Sequence, residues 1–236
     1  CIKSYIFEHM ISSGSVYMVW DKKLIKDKPN FRKTAIDVEY KATRDQEKNR
    51  AVYEMSVPLR RMCKSLGLYN VYPGVLEADD VIAYLTRELP GEHVVVSVDQ
   101  DMLQLINEHT DVYDPIKKNT ITIHNFNQYF PVPLNMFIHY KAIMGDKSDN
   151  IPGIPRVGSK TAAKIINEGI DQMPGDYMSI YKRNLDLMDL NIGIQHHPSE
   201  VGIYNAQLAA QSDIQSDASQ FFKICKEMTC TDITSN

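Results

Sequence analysis

Two short runs of β-forming residues, each ended by an aspartate and each set among helical periodicities, constrain this chain most. Val16-Tyr-Met-Val-Trp20 stops at Asp21, and His93 to Val98, with Val94-Val-Val96 at its centre, stops at Asp99. Apolar runs this short, bounded by polar breaks, suit strands buried on both faces. Val52, Met55, Leu59, Met62, Cys63 and Leu66 recur at helical spacing and predict a helix over 51–66 with Gly67 as its stop. Leu68 to Val71 predicts a strand. Glu77 to Leu89 predicts a helix with Val81, Ile82 and Leu85 inward, ended by Pro90-Gly91. Asp101 to Asn107 predicts a short helix, and Val112-Tyr113 and Thr120 to Ile123 predict edge strands around Lys117-Lys118-Asn119. Strands alternating with helices indicate an α/β fold with a mainly parallel central sheet and flanking helices.

Residues 2–11 read as a further helix, and the pattern is helical again from Met136 onward. The expected organisation is an α/β core over 1–140, a helical lobe over 141–190 and a C-terminal helix or tail over 191–236. Within the core, residues 22–50 are polar and short of apolar periodicity. They read as a long exposed loop or a mobile helical arch, since structureless stretches of that length inside a domain are usually functional or disordered.

Carboxylates cluster in four separate segments: Asp21; Glu77, Asp79 and Asp80; Asp99 and Asp101; Asp146 and Asp149. In a parallel α/β sheet the carboxyl ends of the strands share one edge, where ligands bind, which puts Asp21 and Asp99 together. Glu77 and Asp80, three apart, share a helix face. Each acid alone has an ordinary explanation, as a helix cap or a turn residue. Four such segments in one βα context point elsewhere, because crowded carboxylates repel unless cations join them. Oxygen-only ligands suit Mg²⁺ or Mn²⁺ rather than zinc. Two such cations about 4 Å apart can activate a water and stabilise a leaving oxygen in phosphodiester hydrolysis.

The net charge of −4 argues against a general polyanion binder, but its distribution is uneven. Residues 22–64 hold 13 Lys and Arg against 6 Asp and Glu, a local excess of 7 positive charges. That segment mixes aromatics with cations at Phe31-Arg32-Lys33 and at Tyr40-Lys41 with Arg44, a pattern for stacked bases and held phosphates. Ile151-Pro-Gly-Ile-Pro-Arg-Val-Gly158 is a glycine-rich turn ahead of a helix starting near Ser159. Gly153 and Gly158 allow close backbone approach to a ligand, the helix start offers free N–H groups to phosphate, and Arg156, Lys160 and Lys164 add charge. The 4 cysteines form no CxxC pair and predict buried reduced thiols, as in an intracellular, cytoplasmic protein. No apolar run approaches the ~20 residues that span a bilayer, so no membrane partner is expected.

With these residues together, the chain resembles the 5′-nuclease (flap endonuclease) family, including the small phage enzymes and the 5′-nuclease domain of bacterial DNA polymerases. The matching stretches are Val19-Trp-Asp21, Phe31-Arg-Lys33, Tyr40-Lys41 with Arg44, Val75 to Ile82, Ser97 to Gln104, Gly145 to Ala162 and, more faintly, Lys182 to Met188. They cover roughly residues 1–190. The resemblance implies a monomeric, structure-specific 5′→3′ exonuclease and flap endonuclease acting on branched or flapped DNA with a 5′ end, in replication and repair. It implies a first metal position served by Asp21, Glu77, Asp79 and Asp80, and a second served by Asp99, Asp101, Asp146 and Asp149, some through water. Lys41 and Arg44 would neutralise the scissile phosphate, and Tyr40 would stack near the reacting nucleotide. Residues around Gly153, Arg156, Gly158, Ser159, Lys160 and Thr161 would form a helix–hairpin–helix that grips duplex DNA and holds K⁺, with Arg32 and Lys33 also on DNA. The family's first strand carries another metal-binding Asp and precedes a helix like residues 2–10. Here that strand is missing, and the expectation is that it lies upstream of Cys1. A branched-DNA-binding module without catalysis and a ribonuclease for RNA or RNA–DNA hybrids are the two other readings.

Overall fold

A computed structural model describes residues 15–21, 31–33, 39–41 and 46–228. The helix expected over 2–11, most of the expected arch and Arg44 lie outside the described residues.

The strands fall close to where the apolar runs place them: β1 (Tyr17–Val19), β2 (Tyr69–Val71), β3 (His93–Val96), β4 (Thr110–Asp114) and β5 (Asn119–Ile121). β1 pairs parallel with β2, with Tyr17 opposite Tyr69 and Val19 opposite Val71. β3 pairs parallel with β4, and β4 pairs antiparallel with β5 across a turn that places Lys118 at φ 54°. The α/β class holds. The single mainly parallel sheet resolves, among the described residues, into separate ladders. Only Val95 of β3 is buried, while Val94 and Val96 are exposed among the described residues, so β3 is not covered on both faces as its composition suggests.

Helix α1 (Gln46–Ser65) precedes β2, and α2 (Ala78–Glu88) follows it. Gly67, at φ +76°, ends the α1 turn as its position in the sequence predicts. The apolar stripe of α1 is open at its N-terminal end, with Val52 60% exposed and Met55 66% among the described residues. On α2 the expected inward residues are buried at Val81 and Leu85. Val81, Leu85 and Tyr84 pack with Val71 of β2 and with Tyr204 from the C-terminal region. Ala83 meets the other core, built on Val95, Met102, Leu103, Val112, Phe126 and Phe137. Each large apolar side chain buried this way stabilises the fold by about 1.5–3 kcal/mol.

Phe126, Phe130 and Phe137 form a ring-on-ring trio with centroids 4.8–5.4 Å apart, joining the core to the lobe. The lobe consists of α3 (Phe137–Met144), the short hairpin β6 (Gly145–Asp146) and β7 (Ile151–Pro152), α4 (Ser159–Glu168) and α5 (Gly175–Met188). Ala142, Ile143, Ile154, Ala162, Ile166 and Tyr181 form its core. The buried Asn184 amide donates to the Ala142 and Pro152 carbonyls, at 2.8 and 2.9 Å, and ties α5 to the hairpin. The C-terminal region is helical: α6 (Leu190–His196), α7 (Ser199–Ala209) and α8 (Ala218–Glu227). Among the described residues no helix is long and apolar enough to cross a membrane.

Candidate metal centre

The acidic segments gather near the carboxyl ends of β1 and β3, the edge where an α/β fold binds ligands, although β1 and β3 belong to separate ladders among the described residues. Asp21, the residue after Trp20, turns its Oδ1 to accept from the Ala78 amide at 3.0 Å, so the exit of β1 is tied to the start of α2. Asp99 caps the 3₁₀ turn Gln100–Leu105 by accepting from the Asp101 amide at 2.9 Å. Asp146 caps its own turn by accepting from the Ser148 amide and hydroxyl, at 2.8 and 2.6 Å.

Charge separates these acids into those already neutralised and those not. Lys141 of α3 is buried, with Nζ 2.8 Å from both Asp101 Oδ1 and Asp146 Oδ2. Burial alone would raise the Asp146 carboxyl, but bonding to Lys141 and Ser148 wins and holds it at about 2. For Asp101 burial wins over Lys141, and its carboxyl lies above the ordinary value. Lys41 donates to Glu77 and sits 3.5 Å from Asp149 Oδ2. Burial works against the Glu77 charge, yet Lys41 and Arg32 carry it below the ordinary glutamate range. Lys41 has a left-handed backbone, φ 55°, fixed by its amide donating to the Asp149 carbonyl at 2.9 Å. Asn150, also left-handed at φ 59°, donates its side-chain amide to the Glu39 carbonyl. The Glu39–Lys41 segment is thus clamped to the turn that carries Asp146 and Asp149.

Asp79 differs from all of these. Among the described residues it makes no hydrogen bond or ion pair. Burial pushes its carboxyl up to about 7; Lys41 opposes this, and the charges of Asp21, Glu77 and Asp99, each weaker than Lys41, add to the rise. An anion held that far from its ordinary value, amid three more carboxylates, is under-compensated, and an oxygen-only donor set of this kind fits a hard divalent cation. Among the described residues no three His, Cys, Asp or Glu side chains are yet close enough together to hold a metal ion. The cluster is an open one.

Three of the expected site residues have other work. Asp80 was expected on the first cation, but it is fully buried and both its oxygens are taken by Arg32, at 2.6 and 2.8 Å, with Oδ2 also accepting from the Glu77 amide at 3.1 Å. Arg32 was expected on DNA, but it is 1% exposed and also donates to the Leu187 carbonyl at 2.9 Å. It is the internal counter-charge of the site, while Lys33 beside it is exposed. Tyr40, expected to stack on a nucleotide, is buried with Ile151, Leu187 and Met188 and donates its hydroxyl to Glu77 at 2.9 Å. Burial and the facing carboxylates push its phenol far above its ordinary value, so it stays a neutral donor.

The hairpin also divides. A Cβ on Gly153 would lie 2.1 Å from the Met144 carbonyl, and one on Gly145 would lie 2.2 Å from the Gly153 amide. These glycines permit backbone-on-backbone packing rather than approach to a ligand. Gly158 instead faces open space, leads into α4 without a side-chain cap, and leaves the helix start exposed at Ser159, Lys160 and Thr161. Arg156, exposed and left-handed at φ 64°, stands beside it. Lys164 is engaged with Glu168 at 3.6 Å. Sequence reasoning missed Lys141, which lies on an apolar helix with no motif around it.

Residues 4–130 match the family model of the 5′-3′ exonuclease N-terminal resolvase-like domain, and residues 132–183 match that of the 5′-3′ exonuclease C-terminal SAM fold. A 5′-3′ exonuclease of Buchnera aphidicola subsp. Schizaphis graminum is 34% identical over 160 residues, covering 66% of this chain and 54% of the relative. Flap endonuclease Xni of Shewanella loihica is 30% identical over 154 residues, covering 64% of this chain and 57% of the relative. The chain therefore spans little more than half the length of these curated relatives. The structure of the T5 D15 protein co-crystallised with metal ions superposes with a TM-score of 0.71 at 24% identity, covering 91% of this chain and 90% of that one. The two family models follow one another along the chain, the first alone spans more than half of it, and the chain belongs to the 5′-3′ exonuclease family.

Proposed function

We propose that this chain is a divalent-metal-dependent 5′→3′ exonuclease and flap endonuclease, hydrolysing phosphodiester bonds of branched DNA in replication and repair. The observation that carries the reading is the gathering of buried Asp79 with Glu77 at the start of α2 and with Asp21 and Asp99 at the exits of β1 and β3, where Asp21 is tied to the same helix start through the Ala78 amide. In this reading Asp79, Asp21, Glu77 and Asp99 hold one Mg²⁺ or Mn²⁺. Asp101, Asp146 and Asp149 serve a second, with Lys141 as the counter-charge already in place. Cations held by these residues would supply Lewis-acid chemistry, an activated water and a stabilised departing oxygen.

The chain's own groups do the rest. Lys41, held by its left-handed backbone between Glu77 and Asp149, presents an ammonium to the scissile phosphate. Tyr40 keeps Glu77 oriented through its hydroxyl. The open start of α4, with Arg156 and Lys160, takes duplex backbone phosphates. Lys41→Ala tests the assignment: turnover on a 5′ flap is expected to fall by about 10²–10³, while the Kd for the flap changes little. Equal losses in turnover and affinity would make Lys41 a binding residue only.

A further inference from the structure

The C-terminal helix α7, which begins beyond residue 183 where the matched C-terminal model ends, reaches β2 and the turn that leads from it to Glu77 through its side chains. Gln211, in the turn that follows α7, brackets Asn70: its Oε1 accepts from the Asn70 amide and its Nε2 donates to the Asn70 carbonyl, each at 2.9 Å. Gln207 does the same for Tyr72, at 2.9 and 2.8 Å. Gln207 near the end of α7 and Gln211 in the following turn thus bracket alternate residues, Tyr72 and Asn70, along one strand edge. α7 takes the place of a neighbouring strand along β2.

Glu200 continues this face past the end of β2. It is 2% exposed, and among the described residues no cation pairs with it. Its Oε2 accepts from the Gly74 amide at 2.7 Å and from the Tyr204 hydroxyl at 2.8 Å, and its Oε1 accepts from the Val75 amide at 3.0 Å. A Cβ on residue 74 would lie 2.2 Å from Oε1, so the carboxylate sits where only glycine leaves room. Three residues after Gly74 the chain reaches Glu77, the start of α2 and then Asp79. The turn is thus gripped at Gly74 and Val75 by Glu200, and at Ala78 by Asp21.

We propose that Glu200 is a positioning residue for the cation site, fixing through the Gly74 and Val75 amides where Glu77 and Asp79 present their carboxylates. The inference rests on the function proposed above. A buried anion made of helix side chain and turn amides is a rigid link: neither end moves without leaving donors or acceptor unsatisfied.

The test is calorimetric titration of the full chain with Mn²⁺, well below the unfolding midpoint of each variant. Glu200→Gln keeps the shape but points an N–H₂ at one of the two amides. Its Mn²⁺ affinity is expected to drop about tenfold, the scale seen when groups that orient metal ligands are altered. The Mn²⁺ concentration for half-maximal flap cleavage rises by the same factor, while KM for the flap holds. Gln211→Ala, in the turn beyond the far end of α7, is expected to lower thermal stability and leave Mn²⁺ affinity at the wild-type value. Wild-type Mn²⁺ affinity in Glu200→Gln would overturn the proposal and leave the nuclease reading intact. If that variant does not fold, Tyr204→Phe decides: it removes one hydrogen bond of three, and a loss of about threefold is expected, whereas unchanged affinity overturns the proposal. A wild-type chain that takes up no Mn²⁺ would defeat the nuclease reading itself, and this inference with it.

Discussion

Replacing Arg32 with Met separates a DNA-binding arginine from a structural one. The guanidinium is 1% exposed, forks onto both oxygens of the fully buried Asp80, and donates to the Leu187 carbonyl, 155 positions away in sequence. Burial works against its charge, but the hydrogen bonds and charge of Asp80 overcome that and hold it more firmly protonated than usual. Removing one partner of such a pair strands the other in the interior, at a cost of about 3–5 kcal/mol. Against a total stability of about 5–15 kcal/mol, this is a large fraction, and for a chain of this size it corresponds to a midpoint lower by roughly 6–20 °C. Thermal unfolding followed by circular dichroism measures it. Arg32→Met with Asp80→Leu should recover most of the loss, because an apolar pair of similar volume replaces a buried ion pair at little cost. About 1 kcal/mol should remain unrecovered for the lost cap on the Glu77 amide. A midpoint unchanged in Arg32→Met, together with weaker DNA binding, would refute the reasoning and return Arg32 to the DNA surface.

Further outcomes concern the acids. Asp79 stands at about 7 in the folded chain against an ordinary 3.8, so the folded form binds its proton more tightly than the unfolded form. That contribution is complete below about pH 4 and lost as pH rises to about 7. The metal-free protein is therefore expected to lose stability across that window, with saturating Mn²⁺ removing the loss. Urea midpoints of wild type and Asp79→Asn over pH 4–8 check this, and a parallel pair of curves would contradict it. Lys141→Met strips the counter-charge from Asp101 and Asp146. The Asp146 carboxyl should then titrate well above its present position near 2, which side-chain carboxyl NMR measures directly.

What the residues alone reveal, and what they do not, divides by range. The strands over Val16–Trp20 and His93–Val98, the α2 start at Glu77 and the Gly67 stop are local signals, and the structure places them within a residue or two. Asp21 and Asp99, expected together at one sheet edge, do lie near each other around Asp79, although the strands they follow belong to separate ladders among the described residues. Arg32 and Tyr40 carry the same aromatic-and-cation signature whether they face a nucleic acid or a core, and only contacts far along the chain decide between the two. Gly153 and Gly158 look alike in sequence, but only the first is pressed against a carbonyl. The α1 stripe at Val52 and Met55 has core periodicity without a core beside it among the described residues. The role of α7 was illegible because Glu200, Gln207 and Gln211 act through backbone groups more than a hundred positions away, where no spacing rule applies.

The most direct test is to follow a 5′-labelled flap over a range of Mg²⁺ concentrations, with and without chelator, alongside Asp79→Asn. The account predicts a labelled product that appears only with Mg²⁺, vanishes with chelator and is lost in Asp79→Asn while flap binding persists. Flap binding by the wild-type protein with no product at any Mg²⁺ or Mn²⁺ concentration would contradict it and leave a branched-DNA-binding module in its place.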